Sequence, residues 1–377
     1  MIRTIMLAPD SFKESLSADQ FCRIAGSVIQ QEMPGCRIWE MPISDGGEGF
    51  VRGLIRAGLG IRQTRIVTGP YRQPVTAEWA WREEDRTAII EMASASGLER
   101  TNPDQRDTKS ATSYGTGELI RAALDHEART IYLGIGGSAT TDGGVGIAAA
   151  LGYRFFDAQG ASFIPVGADL NRVCRIDPQH MDPRLSTTPL MVACDVTNPL
   201  LGPSGSARVY APQKGATEQD IEQLEQNLAW LAQRVCELTG HDYSHHPGAG
   251  AAGGAGFGLT SLLNAQLEPG IDWFLKAVRF SCLLPDTDLI ITGEGCLDSQ
   301  LDDGKSIHGI LKAAAEAAVP VIIICGTNRL GPEIYHQYPH LRGIFPILQQ
   351  PLSLPKTLSH AENWLDFTLR SVIRLIH

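Results

Sequence analysis

The sequence predicts an α/β protein: an open, doubly wound parallel sheet, interrupted in mid-chain by a second, mixed α/β domain. Three observations carry this. Strand and helix patterns alternate up to about residue 57, and the same rhythm returns after Leu284. Between them, residues 62–93 read as adjacent strands joined by turns, which suits a hairpin or meander better than a βαβ unit. With 377 residues, the chain is also too long for one core. The expected domains are 1–60 with 283–377 for the wound sheet, and 61–282 for the insertion.

Residues 2–8 form a short apolar strand, stopped by Pro9-Asp10. A helix follows over 17–31, with Ser17 as N-cap and Phe21, Ile24, Ala25 and Val28 on one face. Residues 37–43 are the second strand, ended by Ser-Asp-Gly-Gly-Glu-Gly, and 50–57 the second helix. In the insertion, 75–81 alternates and 87–92 is a strand after a charged turn. Residues 115–124 are helical, 130–133 strand-like and 145–150 a small-residue helix. Further strands are expected at 153–156, 189–193 and 207–210, and 218–238 is a long amphipathic helix. A Gly-Ala run occupies 248–258, with no strand before it. Strand 287–292, helix 306–318, strands 320–325 and 344–348, and a helix over 359–376 complete the alternation.

Composition excludes several classes. A net charge of −10 without a basic run argues against nucleic acid or acidic membranes as partners. Eight scattered cysteines, with no C-x-x-C, argue against zinc and a disulfide framework and suit a reducing cytoplasm. His241, His245 and His246 read as a solvated loop. No stretch approaches membrane-spanning length. Homo-oligomerisation is left open.

The chemistry concentrates at strand ends, where open α/β sheets bind ligands. In Leu133 to Val145, five glycines surround Ser138, Thr140, Thr141 and Asp142. Glycines let backbone N–H groups approach a ligand, and a helix start adds donors and partial positive charge. Gly136, Gly137, Ser138, Ala139 and Thr140 are therefore candidate phosphate or carboxylate contacts. Asp142 makes sense there with a metal ion or as a proton-transfer group. Asp10, Ser11 and Lys13 share a strand-to-helix turn, with Lys13 as a point charge for an anion. Asp45 and Glu48 flank Gly46 and Gly47, a pattern for hard-cation binding or general-base work. Asp195 and Asn198 offer a hydroxy acid an acid and an amide. Glu294 and Asp298 are candidate Mg²⁺ ligands. Gly304-Lys305-Ser306 resembles the end of a P-loop whose first glycine is Ser299, which leaves Lys305 as a phosphate contact. Together these point to metal-assisted phosphoryl transfer, with Asp45 or Asp195 taking the proton.

Six motifs in order resemble the bacterial glycerate kinases of the glycerate kinase I type. They are Ala-Pro-Asp-Ser-Phe-Lys-Glu-Ser (8–15), Asp-Gly-Gly-Glu-Gly (45–49), Gly-Ile-Gly-Gly-Ser-Ala-Thr (134–140) with Asp-Gly-Gly (142–144), Cys-Asp-Val-Thr-Asn-Pro-Leu (194–200), Pro-Gln-Lys-Gly-Ala (212–216), and Ile-Thr-Gly-Glu-Gly (291–295) with Asp-Ser-Gln (298–300). The resemblance implies a flavodoxin-like domain with an inserted α/β domain, and ATP-dependent phosphorylation of glycerate, usually to 2-phosphoglycerate. ATP and Mg²⁺ follow as cofactors. Thr141 stands where the family usually has Asn, and Cys296 where it usually has Arg, which removes a phosphate contact. Lys13 and the Gly-rich loop are expected on opposite sides of one interdomain cleft. Two other classes stand beside this reading. Gly134-x-Gly136-x-x-Ala139 followed by Asp157 fits an NAD-dependent hydroxy-acid oxidoreductase, and a non-catalytic hydroxy-acid sensor could share the fold.

Overall fold

Ile5, Met6, Leu7 and Ala8 are all wholly buried, as a strand with neighbours on both edges and helices on both faces must be. The structure, a computed structural model, describes residues 2–12, 15–43, 49–56, 58–297, 306–350 and 354–376. In chain order, the strands among these residues are β1 (Thr4–Pro9), β2 (Arg37–Glu40), β3 (Ile61–Thr68), β4 (Pro74–Arg82), β5 (Thr87–Glu91), β6 (Thr130–Gly134), β7 (Arg154–Phe156), β8 (Ser162–Phe163), β9 (Arg175–Asp177), β10 (Leu190–Ala193), β11 (Gln266–Glu268), β12 (Leu289–Leu297), β13 (Val321–Asn328) and β14 (Leu341–Pro346). The chain divides into two compact units, Met1–Ser44 with Phe274–His377, and Asp45–Trp273.

The discontinuous unit holds a five-stranded sheet in the order β14-β13-β12-β1-β2, with every pair parallel. Counted within this unit the order is 2-1-3-4-5, the flavodoxin-like arrangement, and its switch point lies between β1 and β12. The helix Ala18–Glu32 starts at a capping box, where Ser17 Oγ accepts from Gln20 N and Gln20 Oε1 accepts from Ser17 N. Its buried Phe21, Ala25, Val28 and Ile29 join Trp364, Leu365, Leu369 and Ile373 of the last helix, Ala361–Ile376, in one core. β12 runs on to Leu297, past the end expected at Thr292, because Glu294, Cys296 and Leu297 still pair with Cys325, Thr327 and Asn328 of β13.

The continuous unit is built on a six-stranded sheet, β11-β10-β6-β5-β4-β3. β5, β6, β10 and β11 are parallel, while β3, β4 and β5 form the antiparallel meander the sequence suggested. A small antiparallel sheet, β8-β7-β9, stands apart from it. The helix Phe50–Arg56, read from sequence with the first domain, belongs here. Val51 N–H donates to Glu91 at the end of β5 (2.6 Å), and Arg52 pairs with Glu78 on β4. Residues 207–210 are a second correction: Ser206–Tyr210 is helical. So short an apolar run cannot be told from a strand by pattern. Here the small Ser206 and Ala207 are fully buried, and Arg208 pairs with Glu222 on the long helix Glu218–Thr239.

Candidate active site

β6 and β10 lie side by side and parallel, with Gly134 opposite Ala193 at their carboxyl ends. Beyond those ends opens a cavity of about 320 Å³, at the small end of the roughly 300–1,000 Å³ usual for ligand pockets. The loop after β6 supplies Gly136, Gly137 and Ser138, the segment after β10 supplies Asp195, and Lys214 enters from the turn after Ser206–Tyr210. All of it belongs to the unit Asp45–Trp273.

The Gly-rich loop keeps its shape through its own polar groups. Gly137 O accepts from Leu98 N (2.8 Å), and Ala139 N–H donates to Ser96 O (2.9 Å). Ala139 is therefore no anion donor; its N–H is spent. Gly144 takes φ 75°, a left-handed turn that L side chains rarely adopt, and leads directly into the helix Val145–Ala150. A Cβ on Gly253 would strike the Thr140 carbonyl oxygen, so the Gly-Ala run can pack onto the loop only where it is bare. That run opens the helix Ala251–Leu263 with three left-handed residues, Ala252, Gly253 and Gly254, and Ala252 lines the cavity.

Asp142 departs most from expectation. It is fully buried. Its carboxylate accepts from Ser113 N (2.7 Å), Ser113 Oγ (2.8 Å) and Gly144 N (3.1 Å). Ser113 and Gly144 are the N-caps of the helices Tyr114–Asp125 and Val145–Ala150. The anion that these helix starts bind is thus part of the chain itself. A carboxylate sealed in this way organises the loop and is closed to Mg²⁺, which corrects the metal role given to it. Burial pushes its carboxyl above the usual range, against the pull of the N–H groups of Ser113, Gly144 and Gly146.

Lys214 is buried to 2% exposure, and its Nζ donates to Ser138 Oγ (2.9 Å) and Thr140 O (2.7 Å). Burial pulls its pKa down to about 7, with Asp142 opposing the fall. The exposed Asp195 accepts from Gly270 N–H, which fixes its carboxylate at the rim. Asn198 is engaged at both ends: Tyr210 Oη donates to its Oδ1 (2.8 Å), and its Nδ2 donates to Ser204 O (2.7 Å). The amide expected for substrate holds its own loop together instead. Thr140 is fully buried with no partner for Oγ1. Thr141 pairs with Thr108 (2.5 Å) and is not part of the lining. Asp157 accepts from Gln159 N and Ala161 N in a turn between β7 and β8, which removes it as a ribose-binding acid.

In the other unit, Asp10 and Glu294 stand at the carboxyl side of the β1–β12 switch point, where Asp10 N–H donates to Gly293 O (2.7 Å). Asp10 Oδ1 accepts from Ser11 N (2.6 Å). Lys13, Asp45, Gly46, Gly47, Asp298 and Lys305 lie outside the described residues. Among the described residues, no three His, Cys, Asp or Glu side chains cluster as a metal site. His241, His245 and His246 are exposed, and among the described residues no helix is long and apolar enough to cross a membrane.

The profile of the glycerate kinase family matches residues 5–377. The chain belongs to the glycerate kinase family. It is 42% identical over 368 residues to a glycerate kinase of Bacillus subtilis (strain 168), across 98% of this chain and 96% of the relative. It is also 42% identical over 344 residues to a glycerate 2-kinase of Escherichia coli (strain K12), across 91% and 90%. A solved structure from Salmonella typhimurium LT2, provisionally described as glycerate kinase 2, aligns with a TM-score of 0.82 at 40% identity, covering 100% of this chain and 98% of that one. For a glycerate kinase family member, the notable residue that sequence reasoning passed over is Lys214. The signal was the Pro-Gln-Lys-Gly-Ala motif: one lysine fixed between a proline and a left-handed Gly215. Ser113 carried no such signal, since its pairing with Asp142 spans 29 residues.

Proposed function

We propose that this protein transfers the γ-phosphoryl group of ATP to D-glycerate, giving 2-phosphoglycerate, with glycerate held in the cavity beyond β6 and β10. One observation carries the placement: a single lining brings together the exposed carboxylate of Asp195, the buried ammonium of Lys214 and the hydroxyl of Ser138. A hydroxy acid needs both kinds of group, a base for its hydroxyl and donors for its carboxylate. Asp195 takes the hydroxyl proton as the oxygen attacks the γ-phosphorus. The bond from that phosphorus to the bridging oxygen breaks, and ADP leaves with the electron pair. Asp195 is the base we assign because it lines the cavity.

Asp10, Ser11 and Glu294, at the switch point of the five-stranded sheet, are the groups we assign to the nucleotide side. Mg²⁺ would neutralise phosphate charge there. Hard oxygen donors suit it, and an ion carried on phosphates needs only one or two protein carboxylates, here Glu294 with Asp298. We place the protein in a reducing cytoplasm, a reading supported by eight scattered cysteines with no C-x-x-C spacing. A coupled ADP-release assay across small hydroxy acids, with and without Mg²⁺, tests the proposal. Glycerate-dependent release is expected, and ³¹P NMR should show the phosphate on the 2-oxygen. No glycerate-dependent release, with NAD reduction instead, would overturn it.

A further inference from the structure

We propose that Lys214, working through and beside the Ser138 hydroxyl, is the specificity-determining group that recognises the carboxylate of the substrate. This rests on glycerate occupying the cavity. An ammonium carries three N–H donors and no acceptor. Two of them go to Ser138 Oγ and the Thr140 carbonyl, which leaves one for a ligand. Ser138 Oγ accepts from Lys214, so its own proton is available to donate. One buried cation therefore offers an anion two donors, one direct and one through a hydroxyl.

Charge argues the same way. Lys214 is the only cation in the described lining, in a chain of net charge −10. Asp142 is the charge that opposes its deprotonation, yet that carboxylate is already held by Ser113 and Gly144. Asp195, the other carboxylate of the lining, is exposed and accepts from Gly270 N–H, so the buried ammonium has little counter-charge and is costly to hold. A carboxylate in the cavity supplies what is missing, and a neutral ligand of the same shape does not. Nor do the Ala139 and Gly144 N–H groups of the loop compete for the anion, because both are spent inside the protein.

The test compares wild type with Lys214→Met, which keeps the apolar stem and removes the charge, and with Ser138→Ala. Steady-state kinetics are run with glycerate and with glyceramide, its neutral near-isostere, each against ATP. Lys214→Met should raise the KM for glycerate about ten- to hundredfold, the range for one charge-assisted hydrogen bond. It should leave the KM for ATP unchanged and abolish the preference for glycerate over glyceramide. Ser138→Ala should shift the same KM in the same direction by less. An unmoved glycerate KM overturns the inference. So does a general loss, in which both KM values and kcat worsen while the preference for glycerate survives. If wild type releases no ADP with glycerate, the proposed function has failed, and calorimetric titration of glycerate without ATP then decides the role of Lys214 alone. Should Lys214→Met fail to fold, Lys214→Gln, which also removes the charge, and Ser138→Ala carry the same comparison.

Discussion

At Lys214 the structure ties stability to pH. The unfolded lysine titrates at 10.5 and the folded one at about 7. Between these values the unfolded chain binds more protons, so stability rises with pH; below about 7 both states are protonated and the penalty is complete. The effect is on the order of a few kcal/mol for a group this deeply buried. Urea unfolding of wild type and Lys214→Met at pH 6.5 and pH 9.5 should show wild type gaining on the variant as pH rises; equal gains would exclude the shift. Asp195 makes a different prediction. Asp195→Asn nearly preserves shape but cannot take a proton, so kcat should fall about 10²–10⁴-fold with little change in thermal stability. A near wild-type kcat would move the general base elsewhere. Asp195 follows a strand whose end the sequence located closely, whereas Lys214 follows the short helix that read as a strand, and only Asp195 was legible as a site residue. A lone lysine gains meaning only when folding buries it beside Ser138, and no spacing rule announces a contact across 76 residues.

Among the elements, the pair of helices that start at Ser113 and Gly144 shares one carboxylate. Asp142→Ala should leave the Ser113 and Gly144 N–H groups buried without an acceptor. The expected loss is about 3–5 kcal/mol, the scale for stranding several groups bonded to one charge. Denaturant unfolding measures it, and hydrogen exchange should speed at those two helix-start amides before it speeds at the amides of the sheet. Unchanged exchange there would mean the helix starts are held some other way. The alternation of strands and helices was readable because buried parallel strands such as Ile5–Ala8 are continuously apolar. The helical turn at Ser206–Tyr210 was not, because five residues cannot display a helical period. The Gly-rich loop was recognised as a loop of consequence and misread in detail. Its donors look free in sequence, and only the fold reveals that Asp142 and Ser96 already occupy them.

At the scale of the whole molecule, ligand linkage separates the three classes of function. A ligand that binds only the folded form at about a hundred times its Kd stabilises by roughly 2.7 kcal/mol. Glycerate should therefore raise the melting temperature of wild type by a few degrees and that of Lys214→Met much less, and NAD should leave both unchanged; protection by NAD would return the oxidoreductase reading. The two units have separate cores, so their transitions need not coincide. The chain path has a consequence in time. β1 pairs with β2, which is made soon after it, and with β12, which is made only after all of Asp45–Trp273. At about 5–20 residues per second, those roughly 230 residues keep the ribosome busy for on the order of 10–50 s. Throughout that interval one edge of an almost wholly apolar strand has no partner for its N–H and C=O groups. Nascent chains arrested before Leu289 should resist protease across the cavity-bearing unit and be cut within the first forty or so residues, whereas released chains resist throughout. Translated before all of Asp45–Trp273, Thr4–Pro9 are enclosed only after it.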